Sequence, residues 1–152
     1  MKHQHTLWVV VMVTGLHILE EYGMNFKGWA DAALGVKILW EEFHMVNGAV
    51  LLFMIGGAMI GWRRPEVSLM SPALIGFNGL FFHFGLSLVT GLYSPGTVTG
   101  LVLFVPTAAW AYYGARRDGV LNGKVLTVSI TGGILLQFYP LIVLFTRNYF
   151  NP

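Results

Sequence analysis

Chemistry in this chain is concentrated first in His17-Ile18-Leu19-Glu20-Glu21. On a helix, positions three and four apart share a face, so the His17 imidazole and the Glu20 and Glu21 carboxylates converge on one patch. The run before them, Leu7-Trp8-Val9-Val10-Val11-Met12-Val13, is apolar throughout. Ionisable side chains in such a segment are costly, and their presence is a functional-site hypothesis. A second group follows in Glu41-Glu42-Phe43-His44. Glu41 and His44 have the Glu-x-x-His spacing that carboxylate-bridged metal sites place on helices. Glu42 points nearly opposite to His44, which suggests a supporting role or one toward a partner helix. Asn47, one turn below His44, could fix that ring through a hydrogen bond.

A third imidazole, His83, falls on a stripe with Gly76, Gly79 and Ser87. Small residues at this spacing let helices approach closely and present one side chain to a bundle interior. Asn78, five residues earlier, faces a different side of an α-helix and is expected to hold helices together or to stand behind the ligands. Tyr139 reads as an interface aromatic, with proton transfer at the site as its functional alternative. Glu21, Glu42 and Tyr139 are the candidate catalytic residues.

The four carboxylates Glu20, Glu21, Glu41 and Glu42 have no Lys or Arg at their depth in the apolar segments. Buried carboxylates must be protonated, paired or metal-bound. Divalent ions would balance them, with neutral histidines completing the coordination. The expected ligands are His17, Glu20, Glu21, Glu41, His44 and His83, holding one or two ions. The chain has no cysteine. Carboxylate and imidazole donors without thiolate favour iron, zinc or manganese. Against this stands the ordinary fate of such residues: a lone Glu at a helix end is usually exposed, and a lone intramembrane His is usually hydrogen-bonded packing.

The elements that must position these groups follow from composition. Of the 152 residues, 55% are hydrophobic and only 11% charged, and the mean hydropathy is +0.65. These values describe a polytopic membrane protein. Five apolar stretches, roughly 6–22, 42–62, 70–92, 97–115 and 124–146, approach the ~20 residues a transmembrane helix needs. The expected fold is all-α: one membrane domain over 1–152, five transmembrane helices, and an interfacial or re-entrant segment near 22–38 that could lie over the site. A net charge of +2 gives no basis for nucleic-acid binding. Lys2, Arg63, Arg64, Arg116, Arg117 and Lys124 fall on one side, and Lys27, Lys37 and Arg147 on the other. That asymmetry predicts a cytoplasmic N-terminus and puts the polar groups of three helices in the outer half of the bilayer.

The chain resembles the HXXEE-motif family of small bacterial multi-pass membrane proteins. The resemblance rests on His17-Ile18-Leu19-Glu20-Glu21, on Asn78 followed by His83, and on Tyr93-Ser94-Pro95-Gly96-Thr97-Val98-Thr99 leading into the fourth apolar stretch. It spans most of the chain and implies a multi-pass protein of a bacterial cytoplasmic membrane whose polar motifs suggest an enzyme or a metal site. The functional expectation is a metal-dependent enzyme in the membrane, oxidising or hydrolysing a lipid or other apolar substrate. Two alternatives remain open at this point: a metal-ion or proton transporter using the same cluster, and a structural protein stapled by metal.

Overall fold

A computed structural model describes residues 2–150. Its apolar stretches are helices, and among the described residues there is no strand. Helix α1 (Thr6–Gly23) carries the His/Glu motif at its C-terminal end. Asn25, in the left-handed region at φ 57°, turns the chain and caps α2 (Phe26–Leu34) by accepting from the Gly28 N–H. Helix α2 departs from α1 by 68°, so the expected interfacial or re-entrant segment is a short helix bent away from the first. Helix α3 (Trp40–Arg63) is α-helical to Ile60 and closes in a 3₁₀ turn over Gly61–Arg63, with Gly61 at φ 55°. Pro65 opens α4 (Pro65–Thr90) at the position where a missing N–H costs least. That start lies five residues before the expected boundary. Helix α5 (Thr97–Arg117) follows the Ser94-Pro95-Gly96 turn. The last apolar stretch is broken ahead of Pro140 into α6 (Gly123–Gln137) and α7 (Tyr139–Phe150).

Among the described residues, four helical segments are long and apolar enough to cross a membrane, and five if the bent α1–α2 pair counts as one span. This is the architecture of a multi-pass membrane bundle. Large apolar side chains such as Met12, Leu19, Leu52 and Val89 are exposed on its outside, as a lipid-facing surface requires. Inside, Val10, Val13, Met54, Ile75, Phe104 and Ala111 form one core cluster. Leu7, Ala58, Trp62, Leu69, Ala115 and Val125 form a second at the end holding the N-terminus. That end is clasped by Asp118, which accepts from the His3 and Trp62 side chains, each at 2.9 Å, and from the His3 backbone N–H.

Asn78–Gly85 in α4 and Gly100–Phe104 in α5 are wound as π-helix. They cross at glycines. A Cβ on Gly79 would lie 2.6 Å from the Gly100 carbonyl oxygen, so the two backbones touch where any side chain would separate them. The π winding has a consequence for the site. Its hydrogen bonds run to the fifth residue, so Asn78 and His83, expected on different sides of an α-helix, are brought to the same side.

Candidate metal centre

His17 and Glu21 are one helical turn apart on α1, and both are buried. His83 reaches them from the π-wound part of α4 and is also buried. The His17 and His83 Nε2 atoms are 3.1 Å apart. Glu21 Oε1 lies 3.6 Å from His17 Nε2 and 3.4 Å from His83 Nε2. Among the described residues, these are the His and acidic side chains whose ligand atoms gather closely enough to share an ion.

Hydroxyls hold both rings from behind. His17 Nδ1 is 2.7 Å from Thr99 Oγ1, and His83 Nδ1 is 3.1 Å from Ser94 Oγ. Thr99 donates to the Gly96 carbonyl and Ser94 to the Pro95 carbonyl. If those contacts hold the hydroxyl protons, each hydroxyl accepts from its ring and both imidazole protons are assigned to Nδ1; with a hydroxyl donating instead, one Nε2–H bonds the other ring's Nε2 at 3.1 Å. The first assignment would leave two Nε2 lone pairs facing each other beside a carboxylate oxygen. Such an arrangement is repulsive unless a cation occupies the space, either a proton or a metal ion. A tetrahedral ion with bonds of about 2.0–2.1 Å keeps neighbouring ligand atoms about 3.3–3.4 Å apart. The three observed separations straddle that value.

The Ser94-Pro95-Gly96 turn is fitted to the rings. Gly96 has φ +95°, and a Cβ there would lie 2.6 Å from His17 Cε1 and 2.7 Å from His83 Cε1. The turn is held by Glu20, which accepts from the Gly96 N–H at 3.0 Å, the Thr99 N–H at 2.9 Å and the Tyr93 hydroxyl at 3.2 Å. Glu20 thus satisfies orphan N–H groups at the start of α5 from a neighbouring helix. Tyr93, outside the spanning segments, has its hydroxyl pKa raised by burial and then by the Glu20 charge. The two carboxylates of the motif divide the work: Glu21 faces the imidazoles, and Glu20 ties down the turn that backs them.

On α3 the expected face is corrected. Glu41 and His44 are exposed, and Glu42 and Phe43 are buried. The rotation of α3 is set by its apolar stripe, Phe43, Met54, Gly57 and Ala58, which buries one side. Glu41 and His44 lie off that stripe. His44 stacks on Trp40 and sits near Tyr22 instead. Glu42 closes back on the start of α3, accepting from the Leu39 N–H at 2.8 Å. Asn47 donates to the Phe43 carbonyl at 3.0 Å rather than orienting His44.

Beside the cluster is a cavity of about 230 Å³. His17, Glu21 and His83 line it together with Glu42, Asn47, Asn78 and Gln137, and the rest of its wall is largely apolar. Helix α2 covers it with Phe26, Trp29 and Ala30, and the Trp29 indole N–H is 3.4 Å from the Leu92 carbonyl. Phe104 lies under His17, with ring centroids 4.2 Å apart. Gln137 and Pro140 line the cavity; Tyr139, between them in sequence, does not. Thr99, Ser94, Gly96 and Gln137 were not identified as site residues from sequence. A hydroxyl-rich Pro-Gly turn opening an apolar helix was the available signal for the first three.

The carboxylate charge facing the two imidazoles is therefore smaller than four. Glu20 is occupied by N–H donors, Glu41 is exposed and Glu42 sits at a helix start. One carboxylate remains against two imidazoles, a donor set for one ion.

The family model described as "Protein of unknown function with HXXEE motif" matches residues 8–111. A Bacillus subtilis (strain 168) protein, "Uncharacterized protein YrkK", is 26% identical over 137 residues, covering 84% of this chain and 86% of that protein. No solved structure matches the chain. The matched region runs from α1 through most of α5 and so contains His17, Glu20, Glu21, His83 and the Gly96 turn; the chain belongs to the HXXEE family.

Proposed function

We propose that this chain is a membrane-embedded metalloenzyme. His17, Glu21 and His83 hold one divalent transition-metal ion, and a small apolar or amphipathic molecule reaches it from the bilayer through the adjacent cavity. The observation that carries this reading is the set of three ligand atoms 3.1–3.6 Å apart, with both ring Nδ1 atoms held by hydroxyls. Hydrogen-bond partners behind metal-bound imidazoles fix their tautomer and orientation in this way. Two imidazoles and one carboxylate suit iron, zinc or manganese. Three protein ligands leave a position for water or substrate, the pattern of catalytic rather than structural sites. An ion there supplies Lewis acidity or an activated ligand. Glu42, the second carboxylate on the cavity wall, is the group placed to move a proton. Glu41 and His44, being exposed, support one ion rather than two.

The rival reading, ion transport, needs a polar path onward from the cluster. Beyond it toward the N-terminal end lie Phe104, Val10, Val13, Met54, Ile75 and Ala111, and Thr14 is engaged with the Val10 carbonyl and Met54. That floor favours chemistry over passage. The Lys/Arg asymmetry supports a cytoplasmic N-terminus and a centre in the outer half of a bacterial cytoplasmic membrane.

Cobalt substitution tests the proposal. Purified protein loaded with cobalt(II) should show the visible bands of a four-coordinate ion, and added azide should shift them by taking the open position. A spectrum unmoved by azide would assign a closed structural site. Absence of the bands would remove the metal reading.

A further inference from the structure

The cavity beside the metal centre is long rather than round. Its wall runs from Glu42 to Met54 on α3 and from Leu86 to Leu74 on α4. On α3 that is about 18 Å at ~1.5 Å per residue. A volume of about 230 Å³ drawn out over that length leaves a cross-section of about 13 Å², roughly half that of a compact ~150 Å³ cavity that holds a benzene. One unbranched hydrocarbon chain fits such a slot; a fused ring or a pair of chains does not.

The two ends of the slot differ. At one, Leu34 of α2 and Leu141 of α7 line the slot while each is 42% exposed, so the lips are apolar and face outward. The other is closed by Met54, Leu74, Ile75 and Phe104, all members of the buried core cluster. Thr14 lies at the same level, its hydroxyl 2.8 Å from the Val10 carbonyl and 3.3 Å from Met54 Sδ. With that proton committed, these residues offer an entering head group no donor, and a polar group buried without a hydrogen bond is penalised. An apolar chain end meets no such penalty. The centre stands partway up the wall: on α1, His17 is three residues and Glu21 seven residues beyond Thr14, about 4–11 Å above the floor. C–C bonds of about 1.5 Å in a zigzag advance about 1.25 Å per carbon, so that height corresponds to about four to eight carbons.

We infer that the substrate is a single-chain lipid that enters methyl end first between Leu34 and Leu141 and rests that end on Met54, so that the metal centre meets a methylene inside the chain rather than the head group. The inference rests on the metalloenzyme reading for what befalls that methylene, but the seating of the chain does not depend on metal. Because the floor fixes the methyl end, chains of different length present the same carbon, counted from that end.

The probes are three hexadecanols, each about 20 Å long when extended, with a photoreactive diazirine beside the methyl end, about six carbons from it, or beside the hydroxyl. Each is mixed at the same mole fraction into nanodiscs of unlabelled phospholipid holding the purified chain. After illumination the labelled residues are mapped by mass spectrometry. The methyl-end probe should label Met54, Leu74 or Ile75, the middle probe His17, Glu21 or His83, and the hydroxyl-end probe Leu34 and Leu141. Floor labelling by the hydroxyl-end probe should be at least about tenfold weaker than by the methyl-end probe, the penalty of an unbonded hydroxyl. Excess unlabelled hexadecanol should remove all three sets of labels, and excess sterol should not. Val50 lines the slot one turn above Met54, so Val50→Phe should abolish floor labelling and leave the lips labelled.

The same residues labelled by all three probes, or competition by the sterol equal to that by hexadecanol, would overturn the inference in the natural protein, with no variant needed. Undiminished floor labelling in a folded Val50→Phe chain would also overturn it. Metal content is measured on the same nanodiscs. A chain that holds metal without this order of labels sinks this inference alone. One that gives the order without holding metal sinks the metal reading alone.

Discussion

Replacing Gly96 with alanine separates two effects that the structure predicts at one position. The first is backbone strain. Gly96 has φ +95°, and a non-glycine residue in the left-handed region costs about 1–2 kcal/mol. At roughly 2–4 °C per kcal/mol for a chain of this size, the melting temperature should fall by about 2–8 °C. The second effect is displacement of the rings. The new Cβ would lie 2.6 Å from His17 Cε1 and 2.7 Å from His83 Cε1, against an ordinary carbon contact of about 3.5–4.0 Å. Each ring must retreat by about 1 Å, twice the ~0.5 Å within which a functional constellation must be held. Metal affinity should drop by about 100-fold, the upper end of what disturbing a ligand's support costs. Gly91 supplies the control. It has φ +67° with nothing within 4 Å of a built Cβ, so Gly91→Ala carries the strain without the collision. Affinity for zinc is measured by competition with a chromophoric chelator, and stability by thermal unfolding in detergent. Gly91→Ala should lose stability and keep its metal; Gly96→Ala should lose both. Natural affinity in Gly96→Ala, or equal metal loss in the two variants, would refute the reasoning.

Glu20→Gln should weaken metal binding about 10–100-fold, because it loosens the turn without removing a ligand. Glu41→Ala and His44→Ala should leave metal binding unchanged; loss of metal in either would mean that α3 presents another face to the site. Asp118 is held well below the usual carboxylate range, first by the His3 side chain and then by the His3 N–H and Trp62. A depressed carboxylate pKa stabilises the fold above its unfolded value and ceases to do so as pH falls through the folded one. Asp118→Asn should therefore melt below the natural protein near pH 7, and the gap should narrow toward about pH 3; a gap that stays constant with pH would assign the difference to packing. For orientation, cysteines at exposed Gly28 and Tyr93 should label from outside and one at exposed Asn122 from the cytoplasm; reversed labelling would place the centre in the inner half of the bilayer.

The helical layout was legible because span length and apolar composition are one-dimensional signals, and the breakers Gly23, Gly35, Gly91 and Pro140 stand in plain sight. The pairing of His17 with Glu21 was legible because a regular helix fixes it. Glu20 was not, since its partners are backbone N–H groups of Gly96 and Thr99, which no side-chain pattern displays. The rotation of α3 was misread because the Glu-x-x-His spacing was given more weight than the stripe from Phe43 to Ala58 that the core selects. Asn78 was misplaced because π winding changes which residues share a side. The Gly79–Gly100 backbone crossing lies within that wound region, but a small-residue stripe indicates a close approach without indicating a change of helical period. Gln137 was passed over because a single carboxamide in an apolar helix carries no spacing to read.

Metal analysis of the purified chain tests the central claim most directly. Protein prepared without chelator, then loaded and desalted, should retain about one equivalent of zinc, iron or manganese. Glu21→Ala, His17→Ala and His83→Ala, each verified as folded, should retain little. Retention below about a tenth of an equivalent by the natural protein, or undiminished retention by the His83→Ala variant, would contradict a metal centre built on these three residues.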